Sequence, residues 1–315
     1  MEFKYYINKY LLIPLGDFFQ LTERLIISDR RINYPPIFII GPARSGTTLA
    51  YQVLISSFSL CYVNNLISSL KYTPSLASVI SYYLGSSNTS IDFSSNYGRI
   101  PGWSSPSQGN RIWGRWFRGE GPGHDINHIS AKDFRRLIAT LEAYYKVPFI
   151  TKWPGFSVYL DQLSRIVDGP IFVNIKRDPV EIIPSILKGR VYLKGGETNS
   201  ISRSPKHYKN FRNFSPIDQV AAYVVGIEND IEYGMNKIGK ERFFTIEYER
   251  LCECPNDVMD EFFLYYKNIN NYDLKRINNN IGKFIKSEKV NSYERDVILS
   301  SYNKIKIFYD ELNNI

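Results

Sequence analysis

Cysteine and histidine are scarce in this chain of 315 residues, which has three of each. Cys61, Cys252 and Cys254 form an odd count, and a single residue separates the last two, so no disulfide framework is expected. Cys252 and Cys254 with His124, His128 and His207 are too sparse for a metal site, and no metal is expected. Free thiols fit a reducing, cytoplasmic compartment. No apolar run approaches the roughly 20 residues needed to span a bilayer. Lys4, Lys9, Pro14 and Asp17 interrupt the apolar residues of the N-terminus, which does not read as a signal peptide. Residues 1–27 read instead as amphipathic helices that pack on the domain rather than on a membrane. Zinc-finger, RNP and basic-zipper patterns are absent as well. The formal charge of +8 therefore points to an anionic ligand such as a nucleotide, or to an acidic surface, and not to nucleic acid. No internal repeat is present.

What the chain does have is length enough for a large α/β core and an ordinary globular balance, 43% hydrophobic and 22% charged. Its most informative stretch is IFIIGPARSGTTLAYQ, Ile37 to Gln52. Ile37 to Ile40 read as a short buried strand. Gly41 and Pro42 break it, and Leu49, Val53 and Leu54 begin a helix-spaced stripe. A strand, a glycine-bounded loop and a helix N-terminus aim unpaired backbone N–H groups and the positive helix end at an anion. Gly41 and Gly46 suit a backbone that curls closely around phosphate oxygens. The spacing approaches G-x-x-x-x-G-K-[ST], but Thr47 stands where a P-loop NTPase has lysine, and the cation is Arg44.

Three further strands are expected at Val147–Thr151, Ile171–Ile175 and Phe243–Ile246, with a short one at Leu60–Val63. Helices are expected between them, one of them N-capped by Ser130. Alternation of this kind implies a three-layer α/β/α fold with a mostly parallel central sheet, P-loop NTPase-like. Ligands of such sheets bind beyond the carboxyl ends of the strands. Arg44, Lys152 and Arg177 each follow an apolar strand directly, so they are expected on one rim. The division expected is a helical lead-in at 1–36 and one α/β domain at 37–315, with irregular segments 64–130 and 189–215 as substrate or lid regions. Trp103, Trp113, Trp116 and Phe117, interleaved with Arg111, Arg115 and Arg118, allow two arrangements. The rings line an acceptor cleft, or a helix packs them inward and snorkels its arginines.

GPARSGTTL resembles the 5′-phosphosulfate loop of the sulfotransferases that use 3′-phosphoadenosine 5′-phosphosulfate (PAPS), and is closer to the bacterial and tyrosylprotein members, which have arginine before SGTT. The resemblance implies that Arg44, Ser45, Gly46, Thr47 and Thr48 hold the donor, with Arg44 at the bridging oxygen and the sulfuryl group. VNIKRDPVEIIPSIL resembles the family's 3′-phosphate motif, implying that Arg177 and Ser185 bind that phosphate. ITKWPGF resembles its K-x-P segment, implying that Lys152 stabilises charge on the transferring group. TIEYERLCECP resembles the segment after the last strand, which implies that Tyr248 lies near the adenine and that Glu249 caps or braces the loop. The implied acceptor is a small molecule, glycan or lipid carrying a hydroxyl or an amine.

This chain departs from the family at the proton acceptor. Pro154 stands where the cytosolic enzymes have histidine, and Val63-Asn64-Asn65 contains no carboxylate where the tyrosylprotein enzymes have glutamate. His124 is the expected base, with Glu120, Asp125 and His128 behind it. Two other readings stand beside sulfuryl transfer. One is a P-loop nucleotide kinase-like phosphotransferase. The other is a nucleotide-binding interaction protein without catalysis.

Overall fold

Four consecutive apolar residues have no polar face to turn outward, so the strand they form must be covered on both sides. That is the position of β1, Ile37–Ile40, which is fully buried. The computed structural model describes residues 13–86, 91–96, 98–117, 126–196, 202–286 and 292–313. Along the chain, α1 (Ile13–Ile26) precedes β1, and α2 (Thr47–Ser57), β2 (Cys61–Tyr62), α3 (Asn65–Ser69), α4 (Pro74–Tyr83), α5 (Asn110–Trp116) and α6 (His128–Tyr145) follow it. Then come β3 (Phe149–Lys152), a 3₁₀ turn (Pro154–Val158), α7 (Leu160–Ile166), β4 (Ile171–Lys176), α8 (Pro179–Lys194) and α9 (Pro216–Ile238). The last elements are β5 (Phe243–Glu247), α10 (Tyr248–Glu253), α11 (Pro255–Asn270) and α12 (Ser292–Asn313).

The sheet order is β2-β3-β1-β4-β5. Strand β1 pairs in parallel with β3 and β4, and β4 with β5. Ile39 is level with Lys152 on one side and Val173 on the other. The strands expected from sequence are therefore present within a residue or two, in the expected α/β arrangement.

The described residues of 1–34, 60–118 and 126–149 form one compact unit, and those of 35–59 and 150–315 form another. In the first unit Trp113, Trp116 and Phe117 are buried and pack edge-on against Phe134 of α6. The aromatic run is thus a core, and its arginine does snorkel: Arg115 donates to the Lys71 carbonyl and to Gln20, and lies over the Tyr72 ring. Trp103 is half exposed. Asp133, buried, accepts from Gln20, Arg24 and Arg136. Replacing Trp113 by alanine is expected to cost about 3–5 kcal/mol of stability, read as a lowered urea midpoint. A ring that lined a cleft would instead cost activity at unchanged stability.

Two boundaries differ from the sequence reading. The cap of α6 is Asn127, whose side chain accepts from the Ser130 N–H at 2.8 Å. Asn and Ser cap equally well, so local composition did not separate them. Helix α8 runs on to Lys194 before Gly195, at φ 72°, ends it. The segment expected as loop from 189 is therefore helical in its first part.

Candidate functional site

The second unit carries the loop after β1. Four separate contacts hold its backbone. Gly41 N–H donates to Ser157 Oγ at 3.0 Å, from the 3₁₀ turn. Ala43 N–H donates to the Tyr223 hydroxyl of α9 at 3.0 Å. Ser45 N–H closes a turn on the Pro42 carbonyl. The Arg44 carbonyl accepts from Arg177 Nη1 at 3.1 Å. Glycine is required at two points. Gly41 has φ 135°, and a Cβ there would meet the Ile175 carbonyl at 2.8 Å. Gly46 has φ 97°, and a Cβ there would enter the Tyr248 ring. Arg44 itself sits at φ 71°, a left-handed conformation unusual for a side chain of its size. Helix α2 then starts at Thr47 with no side-chain cap, so its first N–H groups have no capping partner.

Cation-bearing and hydroxyl side chains gather at this loop. Arg44 Nε donates to Ser185 Oγ at 3.0 Å. Arg177, at the exit of β4, lies with its guanidinium carbon 4.3 Å from the centre of the Tyr248 ring and pairs loosely with Glu181 at 3.8 Å. Asp178 and Pro179 make this exit abrupt: the Asp178 carboxylate caps α8 at the Val180 N–H, with proline at the first helical position. Lys152 ends β3, and its ammonium donates to Thr48 Oγ1 at 3.0 Å. It is 3% exposed, not the solvated lysine that a strand end ordinarily carries. Burial, with the Arg44 cation adding, pushes its pKa down to about 7.

The remaining site residues complete the arrangement. Ser45 is fully buried, and its hydroxyl has no hydrogen-bond partner among the described residues. A buried hydroxyl of that kind costs free energy unless something else binds it. Tyr248 packs between Gly46 and Arg177, and burial raises its hydroxyl to about 12, so it stays neutral. Arg44, Ser45, Gly46, Thr47, Thr48, Lys152, Arg177, Ser185 and Tyr248 thus form one continuous set of contacts in this unit. His124, Glu120 and Asp125 lie outside the described residues. His128 stands exposed at the start of α6. Sequence reasoning missed Ser157 and Tyr223, the two hydroxyls that fix the loop. They lie 116 and 180 residues from their partners, and no local pattern marks them.

A cradle of backbone N–H groups, an unpartnered buried hydroxyl, two guanidinium groups and an ammonium can hold an anion with more than one phosphate-like group. Residues 35–263 match the profile of a family described as Sulfotransferase family. Among solved structures, sulfotransferase STF9 from Mycobacterium avium superposes with a TM-score of 0.54 at 14% identity, over 80% of this chain and 68% of that one. At that identity the likeness is one of fold. Sulfotransferase STF1 from Mycobacterium tuberculosis H37Rv matches over 96% of this chain and 81% of its own, at 12% identity and a TM-score of 0.48. A sulfotransferase from Alicyclobacillus acidocaldarius matches over 87% and 93%, at 11% and 0.43. No curated protein sequence matches the chain.

Proposed function

This chain belongs to the sulfotransferase family, and we propose that its donor is PAPS and its acceptor a hydroxyl or amine of a small molecule, glycan or lipid. The observation that carries the reading is the junction of Arg44, Lys152 and Arg177 with the loop that leaves Ser45 Oγ buried and unpartnered. The residues fit the donor. The N-terminus of α2, Ser45, Thr47 and Thr48 would hold its 5′ end, and Arg177 and Ser185 its 3′-phosphate. Tyr248 would lie by the adenine.

The donor supplies an activated sulfuryl group and leaves as 3′-phosphoadenosine 5′-phosphate. Arg44 and Lys152 supply fixed positive charge where negative charge grows, and being already in place they need no reorganisation. The acceptor's proton needs a base, and His124 is proposed for it. A cytoplasmic setting belongs to the same reading and is supported by three free thiols. Among the described residues, no helix is long and apolar enough to cross a membrane.

Transfer of labelled sulfate from PAPS to a panel of acceptors tests the activity. Calorimetry with 3′-phosphoadenosine 5′-phosphate against ATP tests the donor, and tighter ATP binding would favour a phosphotransferase instead. Arg177→Ala is expected to weaken binding of the product nucleotide by about 10–100-fold, the range for a hydrogen bond to a charged group. Because Arg177 also holds the Arg44 carbonyl, turnover should fall with it. An unchanged nucleotide affinity would remove Arg177 from the donor site.

A further inference from the structure

The first unit contains a cavity of about 510 Å³, walled by part of segment 64–130 and by none of the residues assigned to the donor. Asn65, Ser68, Arg99, Ile100, Gln108 and Arg111 are prominent in its wall. The wall is braced from behind. Asn65 N–H donates to the Ser105 carbonyl, Leu66 N–H to Trp103 and Ser107 N–H to Val63. Asn65 Nδ2 donates to the carbonyls of Ile100 and Gly102 at 2.7 Å each, and Gln108 Nε2 to that of Gly98 at 2.7 Å. Asn65, with both N–H groups engaged, offers its carbonyl oxygen as an acceptor, and Gln108 offers its carbonyl oxygen and its second N–H. Ser68 adds a hydroxyl.

The charge of this wall is one-sided. It has two arginines and no aspartate or glutamate. Both guanidinium groups are exposed, and neither makes an ion pair or side-chain hydrogen bond among the described residues, whereas Arg24, Arg115 and Arg136 of the same unit do. Two like charges on one concavity are best relieved by an anion. An apolar or lipid chain placed here would leave the amides and hydroxyls without partners. A ligand with many hydroxyls satisfies them, and the volume lies within the range of about 300–1,000 Å³ usual for small-molecule sites.

We propose that this cavity binds an anionic saccharide, its acid group held by Arg99 and Arg111 and its hydroxyls by Asn65, Gln108 and Ser68. The inference does not depend on the identity of the sulfuryl donor. Calorimetry on the full chain with digalacturonate, glucose 6-phosphate and neutral maltose tests it. At least one acidic probe should bind at least about tenfold more tightly than maltose, as loss of a charge-assisted contact predicts. Whichever acid binds more tightly identifies the group, carboxylate or phosphate. Arg99→Gln and Arg111→Gln should each weaken that binding about tenfold or more, at unchanged melting temperature. The doubly substituted Arg99→Lys/Arg111→Lys chain should keep the preference for acid over neutral sugar. Arg177→Ala should leave the binding intact. Equal binding of maltose, failure of both acids to bind, binding that survives both glutamine substitutions, or binding that is lost in Arg177→Ala would overturn the proposal.

Discussion

Lys152→Met is expected to lower turnover at saturating donor by about 10²–10³-fold, the usual cost of removing one preorganised charge-stabilising donor. It is also expected to raise the melting temperature of the unliganded protein near pH 7. The two effects have one origin. Lys152 is buried, with Thr48 Oγ1 as its hydrogen-bond acceptor and no carboxylate paired with it among the described residues. A buried ammonium without a counter-ion is a cost that a well-packed apolar side chain of similar volume avoids. The pH dependence follows in sign. The unfolded lysine holds its proton up to about 10.5, and the folded one releases it near 7. Between those values the unfolded state binds more protons, so the stability of the native chain rises with pH. The advantage of methionine should therefore be largest at and below pH 7 and shrink toward pH 10.

Binding an anion beside Lys152 restores the charged form, so above pH 7 donor binding should take up a proton. Calorimetry in buffers of different ionisation heat reads that uptake directly, and Lys152→Met should abolish it. A variant that lost turnover and stability together would show that the lysine serves the fold rather than the chemistry.

The second large effect is expected from Gly46→Ala, a change of one methyl group. The new Cβ would enter the Tyr248 ring, and the backbone φ of 97° is one that alanine rarely adopts. Strain at such a position costs of order 1–3 kcal/mol. The ring cannot retreat freely, because Arg177 lies across it. The loop must then shift, and with it the N–H groups at the start of α2. Nucleotide affinity should fall by about 100-fold, since donors displaced by an ångström no longer reach their acceptors. Adding Tyr248→Ala should restore only part of the affinity, because it removes the clash and leaves the φ. Measuring both variants by nucleotide titration separates the two causes. Wild-type affinity in Gly46→Ala would mean that the loop does not bind the nucleotide.

Much of this site could be read before any coordinates, and the reason is locality. Ile37 to Ile40, Gly41, Arg44 and Gly46 lie within ten residues, and each carries its own signal: apolar continuity, chain reversal, charge, absence of a side chain. Lys152 and Arg177 are legible because each ends an apolar run. What could not be read depends on residues far apart in sequence. Ser157 and Tyr223 acquire their role only when the chain brings them to Gly41 and Ala43. The burial of Lys152 likewise depends on what covers the end of β3, not on the KWP that follows it. The rings of Trp113 and Trp116 were compatible with a cleft or a core, and Phe134, in a helix some twenty residues on, decides for the core. Trp113 and Phe134 share no motif that could have announced the contact.

The register of the sheet has one more result. Lys152 is level with Val173, and Arg177 lies four residues further along the same chain, about 13 Å onward at the rise of an extended strand. The cations are therefore stepped along the sheet, and both are largely covered, the Lys152 residue at 3% exposure and the Arg177 side chain at 9%. At physiological ionic strength mobile ions screen exposed charges over about 8 Å and covered ones much less. Added salt should thus change both the hold on the nucleotide and the reaction of a seated complex far less than it would for charges on an open surface.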